Sequence, residues 1–157
     1  MPSSQGTVRL ATAEDAEDIG RLLHDFNTEF ATPSPGPVVL ASRLRTLLAS
    51  DATFALVAGS PVVAVALVTL RPNVWYAGRV ALLDELYVVP SWRGHGIGSA
   101  LVDQLRSTCR ERGVDLIEVN VDEGDVDAQR FYERHSFVST EQGSTERAFY
   151  LWQEIRA

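Results

Sequence analysis

"WRGHGIGSALVDQL", residues 92–105, decides how the rest of the chain is read. Gly94, Gly96 and Gly98 alternate here, the strand-like run "LDELYVVPS" comes before them, and an apolar repeat at helical spacing comes after. The first four N–H groups of a helix have no partner inside it, and the aligned peptide dipoles place partial positive charge at that end. A glycine-rich turn lets a ligand approach the bare backbone. Together they make an anion site, best suited to phosphate, with Arg93 placed to add charge at the rim. A merely tight turn needs one or two glycines, not three in alternation.

Two nucleotide patterns fail on the same residues. A Walker loop needs G-K-[ST], and all fourteen basic residues are arginine. The dinucleotide fingerprint needs G-x-G-x-x-G, and here the third glycine comes one residue early.

The 157 residues suffice for one domain with a real core, and 1–157 is expected to be a single domain. Hydrophobic content of 45% and charged content of 22% are those of a soluble globular chain. A net charge of −7 argues against gripping nucleic acid or an anionic membrane, since both need a positive field. Cys109 is the only cysteine, so no internal disulfide forms and a reducing compartment is expected. "MPSSQGTVRL" lacks the regions of a signal peptide, and "PVVAVALVTL" (61–70) is too short to span a bilayer, so the expected location is the cytoplasm.

"TVRLA" (7–11) reads as a strand, and "TAED" (12–15) as a capping box opening a helix with Ile19, Leu22, Leu23, Phe26 and Phe30 on one face. "TPSPGP" (32–37) is loop, and Leu40, Leu44, Leu47 and Leu48 mark a second helix. Residues 52–58 and 62–70 are two strands, and 79–89 a third, ended by Pro90. A third helix runs from about 96 to 112, stopped by Gly113. A strand over 114–121, a helix over 124–135 with Asp125 as N-cap, and two strands, "FVSTE" and "RAFYLWQ", complete the chain. The order is β-α-α-β-β-β-α-β-α-β-β. It implies an α/β (α+β) fold with four helices on a mixed, mostly antiparallel sheet of about seven strands.

These residues resemble the GNAT superfamily of N-acetyltransferases. Its first signature, [Q/R]-x-x-G-x-[G/A] between a strand and a helix, is matched from Arg93 through His95 and Ile97 to Gly98. Its second, N-x-x-A-x-x-F-Y-E-x-x-G-F, reads Asp125, Ala128, Phe131, Tyr132, Glu133 and Phe137. Two positions depart from it: Asp125 stands in place of Asn, and Ser136 in place of Gly. Ser136 would be strained if that position needs positive φ.

The resemblance implies acetyl-coenzyme A as cosubstrate, lying between strands 79–89 and 114–121. Backbone N–H groups from Gly94 to Ser99 would hold the diphosphate. Leu86, Tyr87 and Val88 would lie beside the pantetheine, the Val88 N–H facing the thioester oxygen. Glu118, Val119 and Asn120 would line the opposite side, with Asp125 nearby. Tyr132 is the family's usual general acid, able to hand a proton to the departing sulfur. Deprotonating a lysine-like amine at pH 7 costs roughly 4–5 kcal/mol, so a base is needed. The place used by histone-type relatives holds apolar Leu82, which leaves Glu85 and Asp84 as candidates. Strand alternation predicts that these two point to opposite faces. The ordinary alternative is a solvated carboxylate, or an ion pair with Arg79.

The expected activity is therefore acetyl transfer by direct attack in a ternary complex, because Cys109 falls deep in the third helix. The acceptor is a small amine, polyamine, aminoglycoside-like compound or peptide N-terminus. The rival reading is a non-catalytic acyl-coenzyme A sensor, which would need the glycine turn but neither Tyr132 nor an acid on the preceding strand. A binder of some other phosphorylated ligand would need only the helix end. No metal is expected, since no His, Cys and carboxylate set has ligand spacing and "VDEGDVD" (121–127) lacks the EF-hand order. The two aromatics of "NVWYAG" (73–78), in the connection before strand 79–89, suit either stacking on an acceptor or a dimer contact, and dimers are common in the family.

Overall fold

A computed structural model describes residues 6–156. "MPSSQ", part of the stretch that speaks against a signal peptide, lies outside them. The described residues form β1 (Val8–Leu10), α1 (Ala16–Glu29), α2 (Pro37–Leu48), β2 (Thr53–Ala58), β3 (Ala64–Arg71), β4 (Val80–Val88), α3 (Ile97–Glu111), β5 (Leu116–Val119) and α4 (Val126–Arg134). The chain divides into two compact units, one ending at Val119 and one starting at Asn120.

The first unit is built on one sheet of order β1-β2-β3-β4-β5. Pairing is antiparallel except between β4 and β5, which run parallel. The runs "TFALVA" and "AVALVTLR" are apolar without interruption because β2 and β3 are central and covered on both faces. On one face Ala55, Val57, Val65, Leu67 and Tyr87 meet Ile19 and Leu22 of α1 and Leu44 of α2. Phe54, Leu56, Val68 and Leu70 alternate to the other face, where α3 packs through Leu101 and Leu105. Arg112, just past α3, lies 4.6 Å from the Phe54 ring centre on that same side. The capping box is formed: Asp15 accepts from the Thr12 N–H at 2.9 Å and from Arg9, and Thr12 accepts from the Glu14 N–H.

The sheet has five strands rather than about seven. "FVSTE" and "RAFYLWQ" meet in a single bridge, Thr140↔Arg147, and extend no further as a ladder. Alternation in the sequence marks a segment able to be a strand, but a strand exists only where its peptide groups find a partner row.

In the second unit the Asp125 carboxylate caps α4 by accepting from the Ala128 N–H at 3.0 Å, so Asp performs the N-cap task of the family's Asn. The other end of α4 closes in a Schellman motif. The Ser136 N–H donates to the Glu133 carbonyl and the Phe137 N–H to the Tyr132 carbonyl, both at 3.0 Å. The accompanying apolar contact is the Tyr132–Phe137 ring pair, with centroids 5.4 Å apart. Ser136 occupies the left-handed position at φ +69°, where glycine is usual. A left-handed L-residue costs about 1–2 kcal/mol, and the freer unfolded chain of glycine returns part of that. Ser136→Gly is expected to raise the melting temperature by about 2 °C. Ser136→Val, β-branched at the same φ, is expected to lower it by several degrees in the same thermal melt.

Candidate active site

Register between β3 and β4 runs from Ala64↔Val88 to Leu67↔Glu85, then resumes at Val68↔Leu83. Asp84 is the extra residue of a β-bulge. The parallel pairing of β4 with β5 covers Val80↔Leu116 to Leu83↔Val119 and stops there, immediately before the bulge. From Asp84 to Val88 the strand has no β5 partner. The Val89 N–H donates to the Val63 carbonyl at 2.9 Å, which fixes the phase of the antiparallel ladder. Tyr87 and Glu85 therefore turn their peptide groups toward β3, and Leu86 and Val88 turn theirs to the side that β5 has left.

The bulge also overturns the expected alternation of Asp84 and Glu85. Cross-strand partners share a face, so Glu85 lies on the face of Leu67, which α1 and α2 cover. Leu82 shares the face of Thr69, two residues from Leu67 and so on that same side. The Thr69 hydroxyl donates to Asp84 Oδ2 across this face. Both carboxylates thus stand on one side of the sheet. Burial raises both above the usual carboxylate range; the Asp84 charge adds to the rise at Glu85, and the Thr69 hydrogen bond partly offsets it at Asp84. Arg79 pairs with neither. It donates to the Asp51 carbonyl at 3.2 Å and lies 3.9 Å from the Asp51 carboxylate.

Beyond β4 the chain takes a 3-10 turn over Pro90–Trp92 and enters α3 through Gly94 and Gly96, at φ +77° and +79°. Both glycines are needed for left-handed backbone. A Cβ at either would meet no atom within 4 Å, so the outer side of the turn is open. Gly96 is the N-cap, no side chain caps the helix, and its first turn contains no acid. His95 Nδ1 sits 3.0–3.1 Å from the Arg93 and Trp92 carbonyls inside the turn.

Arg93 is not free at the rim. Its Nη2 donates to Glu29 Oε1 at 2.9 Å, its Nε donates to the Val88 carbonyl at 3.0 Å, and its guanidinium lies 5.5 Å from the Tyr87 ring centre. The Tyr87 hydroxyl donates to the same Glu29 oxygen at 2.9 Å, and the ring stacks on Phe26. Arg93 and Tyr87 hold the Glu29 carboxyl below its usual range, while burial and Glu29 push the Tyr87 phenol up to about 12. Glu29 closes α1, where the helix dipole disfavours an anion, and this clasp is what offsets that cost. No residue pattern announced it, because its members are far apart in the chain.

The model of the Acetyltransferase (GNAT) family matches residues 17–137. This chain belongs to that family. A solved structure from Arthrobacter sp. FB24, assigned as an acetyltransferase, is 50% identical, with 95% of this chain and 96% of that chain covered and a TM-score of 0.89. An aminoglycoside acetyltransferase from an uncultured soil metagenomic sample, in complex with sisomicin, shares the fold at 19% identity, TM-score 0.75 and 96% coverage of both chains. The mycothiol acetyltransferase of Beutenbergia cavernae is 34% identical over 71 residues, which are 43% of this chain but 24% of that protein.

As a GNAT chain, the protein places the motif residues as follows. Leu86, Tyr87 and Val88 lie on the released end of β4, directly before the glycine turn that runs to Ser99. Glu118 and Val119 pair with Leu82 and Leu83, at the mouth of the opening, and Arg71 Nη2 binds Glu118 at 3.0 and 3.1 Å. Asn120, Asp125 and Tyr132 belong to the second unit. Cys109 is buried in α3, and burial pushes its thiol up to about 11, so it stays protonated. Trp75 stands in solvent on a turn that Asn73 braces by accepting from the Trp75 and Tyr76 N–H groups at 2.8 Å. Among the described residues no group of three or more His, Cys, Asp or Glu could hold a metal, and no helix is long and apolar enough to cross a membrane.

The raised carboxyls have a definite sign in stability. A group whose folded pKa lies above its unfolded value favours the fold fully below the unfolded pKa, and that favour is lost as pH rises through the folded pKa. Glu85→Gln removes the loss. The variant is expected to melt at a higher temperature than the parent at pH 7. The gap should close below about pH 4, where Glu85 is protonated in both states; melts across that range check it.

Proposed function

We propose that this chain is an N-acetyltransferase that moves an acetyl group from acetyl-coenzyme A directly to an amine. One observation carries the reading: an uncapped helix entrance on two left-handed glycines follows, after one 3-10 turn, a strand end whose outward peptide groups have no β5 partner. A diphosphate needs several converging N–H donors without a competing carboxylate, and the entrance to α3 offers them. The amide-rich pantetheine arm needs a strand edge, and Leu86 and Val88 offer that. The residues present thus fit acetyl-coenzyme A, which supplies the acetyl group as a thioester.

The Val88 N–H would orient the acetyl carbonyl and favour charge on its oxygen. Asp84 and Glu85, on one face and raised by burial, are suited to take a proton from an incoming ammonium. Glu85 is the preferred base, because its carboxyl carries both the burial and the repulsion of Asp84. An acid pair attracts a cationic acceptor and also raises the amine's own pKa, so the pair must accept the proton as well as bind the cation. Tyr132 Oη would hold the proton taken up by the departing sulfur; this role rests on the match to the family's second motif. The acceptor class is a small amine, a polyamine, an aminoglycoside-like compound or a peptide N-terminus.

The test is thiol release from acetyl-coenzyme A over a panel of such amines, with thermal shift by coenzyme A measured beside it. Turnover with at least one amine is expected. Stabilisation by coenzyme A without any turnover would replace the reading with an acyl-coenzyme A sensor, and no stabilisation would remove the cosubstrate altogether. Gly96→Val should raise the KM for acetyl-coenzyme A by about tenfold or more, since left-handed strain alone approaches the 1.4 kcal/mol that a factor of ten represents. Tyr132→Phe keeps the ring on Phe137. It should lower kcat by about 100-fold while KM for acetyl-coenzyme A stays within about twofold, the split expected of a proton donor.

A further inference from the structure

We propose that Glu29 is a positioning residue for the coenzyme site: acting through Arg93, it fixes the outward peptide groups of Val88 and the entry to the glycine turn. The inference rests on the reading of that turn as the place of acetyl-coenzyme A. Every residue it uses lies in the first unit. The need for such a residue comes from the backbone. From Gly94 to Gly96 the chain has no ladder or helix of its own, both glycines are left-handed, and a Cβ at either would touch nothing. A stretch of this kind holds one conformation only if something outside it anchors it.

Arg93 is the anchor. Its Nε donates to the Val88 carbonyl at 3.0 Å and its Nη2 to Glu29 Oε1 at 2.9 Å. The Val88 carbonyl and N–H both turn to the side that β5 has left. A carbonyl left bare there would repel the oxygen of an arriving thioester. Arg93 satisfies it and leaves the Val88 N–H to the ligand. A guanidinium on a long, flexible stem keeps to one carbonyl only if a second contact fixes it, and Glu29 is that contact. Glu29 is itself held. The same oxygen accepts from the Tyr87 hydroxyl at 2.9 Å, Tyr87 is 4% exposed, and its ring stacks on Phe26, one turn earlier on α1, with centroids 4.8 Å apart.

Two plainer roles are open to the same contact. One is to brace the fold. Yet an ion pair whose side chains are 43% and 27% exposed adds little to stability, and an anion at the close of α1 stands against the helix dipole. Stability is a poor reason for an acid in this place. The other role is to neutralise Arg93. The three roles differ in what loss of the acid does. Losing a brace lowers the melting temperature and leaves coenzyme affinity as it was. Losing a neutralising charge bares a cation beside an anion site and tightens binding. Losing a positioning contact weakens binding.

The experiment is a calorimetric titration of coenzyme A into the full chain, with melts of the unliganded protein beside it. Glu29→Ala should raise the Kd by about tenfold, the scale of one hydrogen bond to a charged group. Glu29→Gln keeps an amide oxygen that can accept from both Arg93 and Tyr87, so it should stay within about threefold of the parent. Glu29→Asp keeps the charge but shortens the reach, and should weaken binding as well; it serves if Glu29→Ala does not fold. Arg93→Ala should weaken binding, and adding Glu29→Ala to it should weaken binding no further, because the two residues act in series. Binding by Glu29→Ala as tight as the parent's, or tighter, overturns the proposal. So does a Glu29→Gln that is as weak as Glu29→Ala, or a double variant whose losses add. A parent that does not bind coenzyme A overturns the reading of the turn itself, and the role of Glu29 with it.

Discussion

One extra residue in β4 organises the first unit. Up to Leu83 the strand is held on both sides, by β3 and by β5. At Asp84 the count slips by one, the parallel partner ends, and the four residues that follow keep β3 alone. The slip has two effects. It releases a row of peptide groups just before the chain bends into the glycine turn. It also brings Asp84 and Glu85 to the same side of the sheet, where burial makes both harder to ionise and the Asp84 charge adds to the effect at Glu85. A regular strand would have paired its whole length and sent one of the two acids to the α3 face. The opening and its acids are thus products of a single irregularity.

Much of this was legible in the chain. The apolar runs of β2 and β3, the Leu-rich stripe of α2, the capping box at Thr12 and the bare entrance to α3 all follow from local pattern, and local pattern is what a sequence displays. The bulge was not legible, because "LLDELYV" reads as an unbroken strand whose register only its neighbours can set. The clasp of Glu29 on Arg93 and Tyr87 was hidden for the same reason. Nothing around Glu29 sets it apart from the other acids of α1 until the fold brings it to the turn. The last two strands failed in the opposite direction. Their alternation is real, but a ladder needs a second row, and one bridge is all that the two halves give each other.

Strain and support are arranged with some economy around Tyr132. The Schellman motif takes up its carbonyl, and Phe137 flanks its ring, so the residue is fixed by its backbone and its ring face alike. The cost is a serine held left-handed one residue before Phe137. A chain that tolerates such a residue at the close of a nine-residue helix indicates how firmly the surrounding contacts determine that turn.

The clasp also decides how an anion would arrive. Because Glu29 neutralises Arg93, the glycine turn attracts through peptide dipoles, whose pull fades within a few ångströms. At longer range an approaching polyanion meets a molecule of net charge −7. Diffusional capture is then opposed rather than steered, and dissolved salt, by screening that repulsion over a Debye length of about 8–10 Å, speeds the encounter instead of slowing it.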